Sequence, residues 1–221
     1  MDIERATPAD WLPRLVAMAA AGTGNDGDAA HDLQHLQRVW ASAQLLLARA
    51  PEADALVVMA ACFLHDLVNL PKDAPDRVQA SRRSAALARH QLAWLGFPAD
   101  KLDAVAHAIE AHSFSAGIAP ASLEAQIVQD ADRLDALGAV GLARMFYISG
   151  RLGRALAHPT DPLALHRERD DMRYALDHIE EKLATLPAMM QTQAGRAVAH
   201  ERLALMLAFR DAFVAEWSAQ G

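Results

Sequence analysis

Ten consecutive residues, Ala55 to Leu64 (ALVVMAACFL), lack a polar side chain, and His65 and Asp66 follow them directly. The run is about half as long as a membrane-spanning helix requires. It sits in a chain of which more than a fifth is alanine, the best helix former and a poor strand former. A helix over about residues 52 to 67 that is apolar nearly all round has no face to give to water, so it belongs at the centre of a bundle. Whatever ends such a helix stands near the middle of the protein.

Elsewhere apolar residues recur at spacings of three and four, without alternating stretches bounded by turn signals, and the expectation is an all-α fold. Thr7-Pro8 opens a first helix carrying Trp11, Leu12, Leu15 and Val16. A second covers about 30 to 50, with Leu36, Val39, Ala43, Leu46 and Leu47 inward. A fourth begins near Asp76, which forms a capping-box pattern with Gln79, and ends at Gly96. A fifth runs from Pro98 to about His112, and Ser122 caps a sixth that carries Leu123, Ile127, Leu134 and Leu137 and ends at Gly138. A seventh covers about 140 to 149. Beyond Gly150 to Pro162, the best candidate boundary, two long amphipathic helices are expected over about 165 to 186 and 188 to 217. The 221 residues thus read as a single compact helical bundle, with its core at about 28 to 150 and a C-terminal helical extension at about 163 to 221. The long apolar stripes of that extension would permit a homodimer.

Charge and cysteine content exclude several classes. Lys and Arg total 21 against 28 Asp and Glu, a net −7, so the chain lacks the broad basic surface that a nucleic-acid polymer needs. The opening MDIERATPAD has no basic-then-apolar order of a signal peptide, and the expectation is a cytoplasmic protein without a membrane partner. The one cysteine, Cys62, falls inside the apolar run and reads as a small buried hydrophobe in a reducing compartment. Gly22 to Gly27 matches G-x-G-x-x-G, but a helix precedes it and Asp26 and Asp28 would repel a pyrophosphate, so it reads as a loop.

His65-Asp66 ends the apolar helix, where an ionised carboxylate costs several kcal/mol unless it is paired or bound to a cation. No Lys or Arg lies within a turn of it in sequence. Asp130 lies three and four residues from Ile127 and Leu134, on the apolar stripe of the sixth helix, whereas Asp132 and Asp135 can turn to water. His35 shares a face with Leu36 and Val39. Two imidazoles and two carboxylates, from His35, His65, Asp66 and Asp130, suit a divalent ion such as Mn²⁺, Co²⁺, Fe²⁺ or Mg²⁺ rather than structural zinc. A capping acid beside a core histidine is the bland alternative. His31, four residues before His35, reads equally as a cap or a group near the site; His107 and His112 are five apart and share a site only if their helix frays near His112.

With these residues in place the sequence resembles the HD-domain phosphohydrolase superfamily, whose pattern is H…HD…D. His35-Leu-Gln-Arg38-Val39, Ala60 to Asp66, and Gln129-Asp130-Ala-Asp132-Arg133-Leu134 carry the likeness. His107 to Ser115 and Arg173 to Leu183 are similar to a small stand-alone bacterial branch. The resemblance implies one divalent ion on His35, His65, Asp66 and Asp130. From the branch it implies Mn²⁺-dependent cleavage of deoxynucleoside triphosphates to monophosphate and pyrophosphate, with Ni²⁺ a further candidate ion. It also marks Lys72 as a counterpart of the lysine that follows the motif in many members, although Asn69 stands where some nucleotidase relatives place a catalytic acid. Ser81 stands about where two-metal members have a histidine, which favours one ion.

The expected enzyme is therefore a metal-dependent phosphohydrolase acting on small-molecule nucleotides, with Asp66 and Lys72 as catalytic groups. His31, Arg38, Arg82, His107, His112, Arg133, His178 and Lys182 are the candidates for substrate binding. The alternatives are a 5′-nucleotidase or cyclic-nucleotide phosphodiesterase of the same superfamily, a sensor that binds metal and nucleotide without turnover, and a helical scaffold.

Overall fold

A computed structural model describes residues 7–22, 33–68 and 76–218, and among them it finds helices and irregular segments but no strand. The helices are α1 (Pro8–Gly22), α2 (Leu33–Leu47), α3 (Ala55–Leu64), α4 (Ala80–Trp94), α5 (Leu102–His112), α6 (Leu123–Leu134), α7 (Gly138–Arg151), α8 (Asp177–Glu181) and α9 (Gln193–Ser218). The chain divides into two compact units, Met1–Asp132 and Arg133–Gly221, so the division falls inside α6 rather than in the Gly150 to Pro162 stretch.

In the first unit α3 is the hub, packed by α1, α2 and α5, while α4 pairs with α5. Every residue of α3 from Leu56 to Leu64 is buried. Each Leu, Val, Met or Phe among them contributes about 1.5–3 kcal/mol relative to an exposed position. Asp54 starts the helix by accepting the N–H groups of Leu56 and Val57 at 3.0 and 3.2 Å, and is itself paired with Lys101. Its own N–H donates to Glu124 on α6 at 3.0 Å, so the N-terminal end of α3 is tied to two other elements. Cys62 is fully buried, and burial pushes its thiol far above the ordinary range, as suits an inert core residue.

In the second unit α7 packs on α9 through Phe146, whose ring lies 5.8 Å from Phe209 and 6.3 Å from Phe213. Phe213 in turn stacks on Trp217 at 5.3 Å. Gly138 starts α7 rather than ending α6, with φ +78°, a conformation that L side chains rarely adopt.

Three local expectations change. The long helix expected over about 165 to 186 is absent; only Asp177–Glu181 is α-helical there, followed by a 3-10 segment, Leu183–Met189. Polar side chains take the backbone's hydrogen bonds instead. Asp161 accepts the N–H groups of Leu165 and His166, both at 2.9 Å. Arg167 forks onto Asp177 at 2.6 and 2.7 Å, and Asp177 also accepts the N–H of Asp170 at 2.8 Å. Leu165 and Met172, which a helix would have turned inward, are 70% and 68% exposed. Asp76 makes no capping bond but pairs with Arg83 at 2.6 Å. Asp135 is buried against Arg144 rather than turned to water.

Candidate metal centre

α3 ends where the site begins. His65 continues the helical conformation past Leu64, and its ring Nδ1 lies 2.9 Å from the carbonyl of Cys62. A carbonyl can only accept, so Nδ1 carries a proton and Nε2 points the other way. Nε2 then faces two carboxylates, Asp66 at 3.5 Å and Asp132 at 3.7 Å. From α2, the buried His35 brings its Nε2 to 3.5 Å from the same oxygen of Asp132. From the last residue of α5, His112 brings its Nε2 to 3.7 Å from Asp66, with its Nδ1 2.6 Å from the carbonyl of Ile109.

The result is two overlapping triads, His35–His65–Asp132 and His65–Asp66–His112, each with its ligand atoms within 4.8 Å of one another. His65 belongs to both. The three rings lie together, His65 5.5 Å from His35 and 4.7 Å from His112. Each of His65 and His112 has one nitrogen spent on a main-chain carbonyl and the other left basic, the arrangement that fixes ring and tautomer for a ligating histidine. Burial, then the adjacent His65, push His112 below the ordinary histidine range against the pull of Asp66 and Asp132, which keeps the ring in its neutral form. Neutral imidazoles with carboxylates in one cluster are the donor set for a divalent ion of the Mn²⁺, Fe²⁺ or Co²⁺ kind.

Of the four expected ligands, His35, His65 and Asp66 thus come together, and Asp130 does not join them. Asp130 is fully buried and belongs to neither triad, while Asp132, 29% exposed, takes the place beside the histidines. Residues two apart on a helix point about 200° from one another, so one turn of α6 cannot direct both acids to one centre. Asp132 stands where the core meets solvent, and burial alone does not mark which acid joins the histidines.

The remaining candidates separate by place. His112 reaches the cluster from the last residue of α5 without fraying, whereas His107 accepts the N–H of Ala121 at 3.0 Å and holds that loop. Arg38 is one turn beyond His35 and half-buried, and Arg82 is exposed on α4. Arg133, His178 and Lys182 lie in the second unit, where Arg133 donates to the carbonyl of Met189 at 2.5 Å and His178 pairs with Asp171 at 2.7 Å. His31, Asn69 and Lys72 fall outside the described residues.

Comparison with known proteins places the chain among relatives of known fold. A protein-family model described as HD domain matches residues 32–137. YpgQ of Bacillus subtilis is 35% identical over 188 residues, 83% of each chain. The crystal structure of YpgQ in complex with ADP superposes with a TM-score of 0.71 over 94% of this chain and 95% of that one, at 29% identity. A structure of an HD-superfamily hydrolase from Bacillus thuringiensis superposes with a TM-score of 0.74 at 30% identity, over 96% and 100% of the two chains. The crystal structure of a protein from Lactobacillus plantarum superposes with a TM-score of 0.71 at 35% identity, over 97% of this chain and 99% of that one.

Proposed function

The chain belongs to the HD-domain superfamily and is a metal-dependent phosphohydrolase, and on that footing we propose that it hydrolyses (deoxy)nucleoside triphosphates to monophosphate and pyrophosphate with Mn²⁺. The observation that carries the reading is the pair of triads sharing His65 at the end of the buried α3. The ADP complex of YpgQ supports a nucleotide as the ligand.

In this reading His35, His65, Asp66 and Asp132 hold the ion. When bound, a divalent ion supplies Lewis acidity toward phosphate oxygens and lowers the pKa of water. The protein's own groups do the rest. Asp66, one-fifth exposed and next to His65, orients the attacking water through a carboxylate oxygen. His112, neutral and basic at Nε2, accepts a hydrogen bond from that water or from a protonated phosphate oxygen. Lys72 is the second proposed catalytic group, neutralising charge on the leaving phosphates. Arg38, Arg82, Arg133, His31, His107, His178 and Lys182 remain proposed contacts to the nucleotide.

Product identity tests the reading. With Mn²⁺ and a panel of nucleoside mono-, di- and triphosphates followed by phosphorus NMR, pyrophosphate and monophosphate are expected from triphosphates. Orthophosphate from monophosphates would instead indicate a 5′-nucleotidase, and a linearised cyclic nucleotide a phosphodiesterase. A nucleotide-induced rise in melting temperature without turnover across Mn²⁺, Co²⁺, Mg²⁺, Fe²⁺ and Ni²⁺ would indicate a sensor.

A further inference from the structure

The buried side chain of Gln129 on α6 belongs to neither triad, yet it reaches the backbone on which one of them hangs. Its Nε2 donates to the carbonyl of Ala111 at 2.7 Å. Ala111 is the residue before His112 and is fully buried, and its carbonyl is among the last four of α5, which have no donor within their own helix. Water does not reach it, so Gln129 is the group that satisfies it. The orientation of the amide follows, because its oxygen would repel a carbonyl. That orientation leaves Oε1 of Gln129 buried with no partner among the described residues. An amide matched at one end only is a poor choice for packing, since an apolar side chain of the same length would bury no unmet acceptor.

Three residues further along the same face of α6 stands Asp132, beside His35 and His65. One face of one helix thus presents the carboxylate of the first triad and grips the end of the helix that carries His112, a member of the second. We infer that Gln129 is a positioning residue: it fixes the place of His112 against Asp66 and His65 by holding the C-terminal end of α5 to the helix that bears Asp132. The kinetic part of this inference rests on the proposed phosphohydrolase reading, while the geometric part does not.

The test uses the full chain and two readouts. Gln129→Met keeps length and volume and removes the donor. In Mg²⁺-loaded, ¹⁵N-histidine-labelled protein, the ring signals of His112 and His65 are expected to move or broaden in Gln129→Met while those of His90 and His200 stay; unchanged His112 signals overturn the inference. With nucleoside triphosphate and Mn²⁺, Gln129→Met is expected to lose about tenfold in kcat, the scale on which small misplacements of a catalytic group act, but less than threefold when introduced into His112→Gln. An equal loss in both backgrounds would mean general damage to the fold and would also overturn it. If no nucleotide is turned over by the wild type, the phosphohydrolase reading fails and the ring signals alone decide the geometric claim. Should Gln129→Met fail to fold, Gln129→Leu, which has no donor in either protonation state, is read in the same two ways.

Discussion

Replacing Asp132 by Asn should cost the protein its ion, while the same change at Asp130 should not. Asp132 offers one oxygen to both His35 and His65, at 3.5 and 3.7 Å, so Asp132→Asn removes the carboxylate of that triad while keeping its shape. An ion present at 100 times its Kd stabilises the folded state by about 2.7 kcal/mol. For a chain of this length each kcal/mol is worth about 2–4 °C, so Mn²⁺ should raise Tm by about 5–11 °C in the wild type. Changing a group that merely orients a ligand already weakens metal sites by about 10–100-fold, and losing the ligand itself should do at least the upper figure. At the same Mn²⁺ concentration Asp132→Asn would then be half-saturated at best, a gain of about 0.4 kcal/mol and a rise of about 1 °C. Asp130→Asn should keep the full metal-induced rise. Scanning fluorimetry across a Mn²⁺ titration, with calorimetric binding as a check, measures both. An undiminished rise in Asp132→Asn, or its loss in Asp130→Asn, would refute the assignment.

Other expectations concern stability. Arg167→Ala should cost about 3 kcal/mol in urea denaturation, because it strands the carboxylate of Asp177, only 1% exposed; a cost below about 1 kcal/mol would contradict the pairing. Asp54→Ala should cost about 1 kcal/mol at neutral pH through the lost cap of α3. Burial opposes the charge of Asp54, but Lys101 and the N–H groups of Val57 and Leu56 outweigh it and hold the carboxyl below the ordinary carboxylate range. The stability it contributes is present above about pH 4 and is lost as pH falls through its lower folded value, so Asp54→Ala should flatten the acid limb of the denaturation profile. Gly141→Ala should destabilise by about 1–3 kcal/mol, because its Cβ would stand 2.3 Å from the carbonyl oxygen of Ala136. Gly150→Ala on the same helix meets nothing within 4 Å and should stabilise by about 0.5 kcal/mol; matching thermal shifts for the two glycines would speak against both.

How far the molecule could be read from its residues depended on whether local pattern or distant geometry decides. α3 was legible because ten apolar residues in a row allow one placement, and His65-Asp66 followed from its end. The stripes on α2 and α6 put Leu36, Val39, Ile127 and Leu134 in the core, where they lie. The choice between Asp130 and Asp132 was not legible, since periodicity reports which residue is buried, whereas the acid beside the histidines stands at the edge of the core. His112 depended on where α5 stops relative to His65, which no spacing reports. The segment from Leu165 to Leu176 has helical spacing, but the Asp161, Arg167 and Asp177 network joins residues too far apart for a periodic pattern to register.

The burial of α3 also bears on time. Its amides can meet solvent only when the surrounding helices part, so they should exchange hydrogen at the rate set by unfolding of the whole unit. His65 and Asp66 hang directly on that element. The residues at the centre of the site are therefore tied to the slowest-opening part of the chain, and an ion gripped there would leave by stepwise release of its ligands rather than by fraying of the scaffold beneath them.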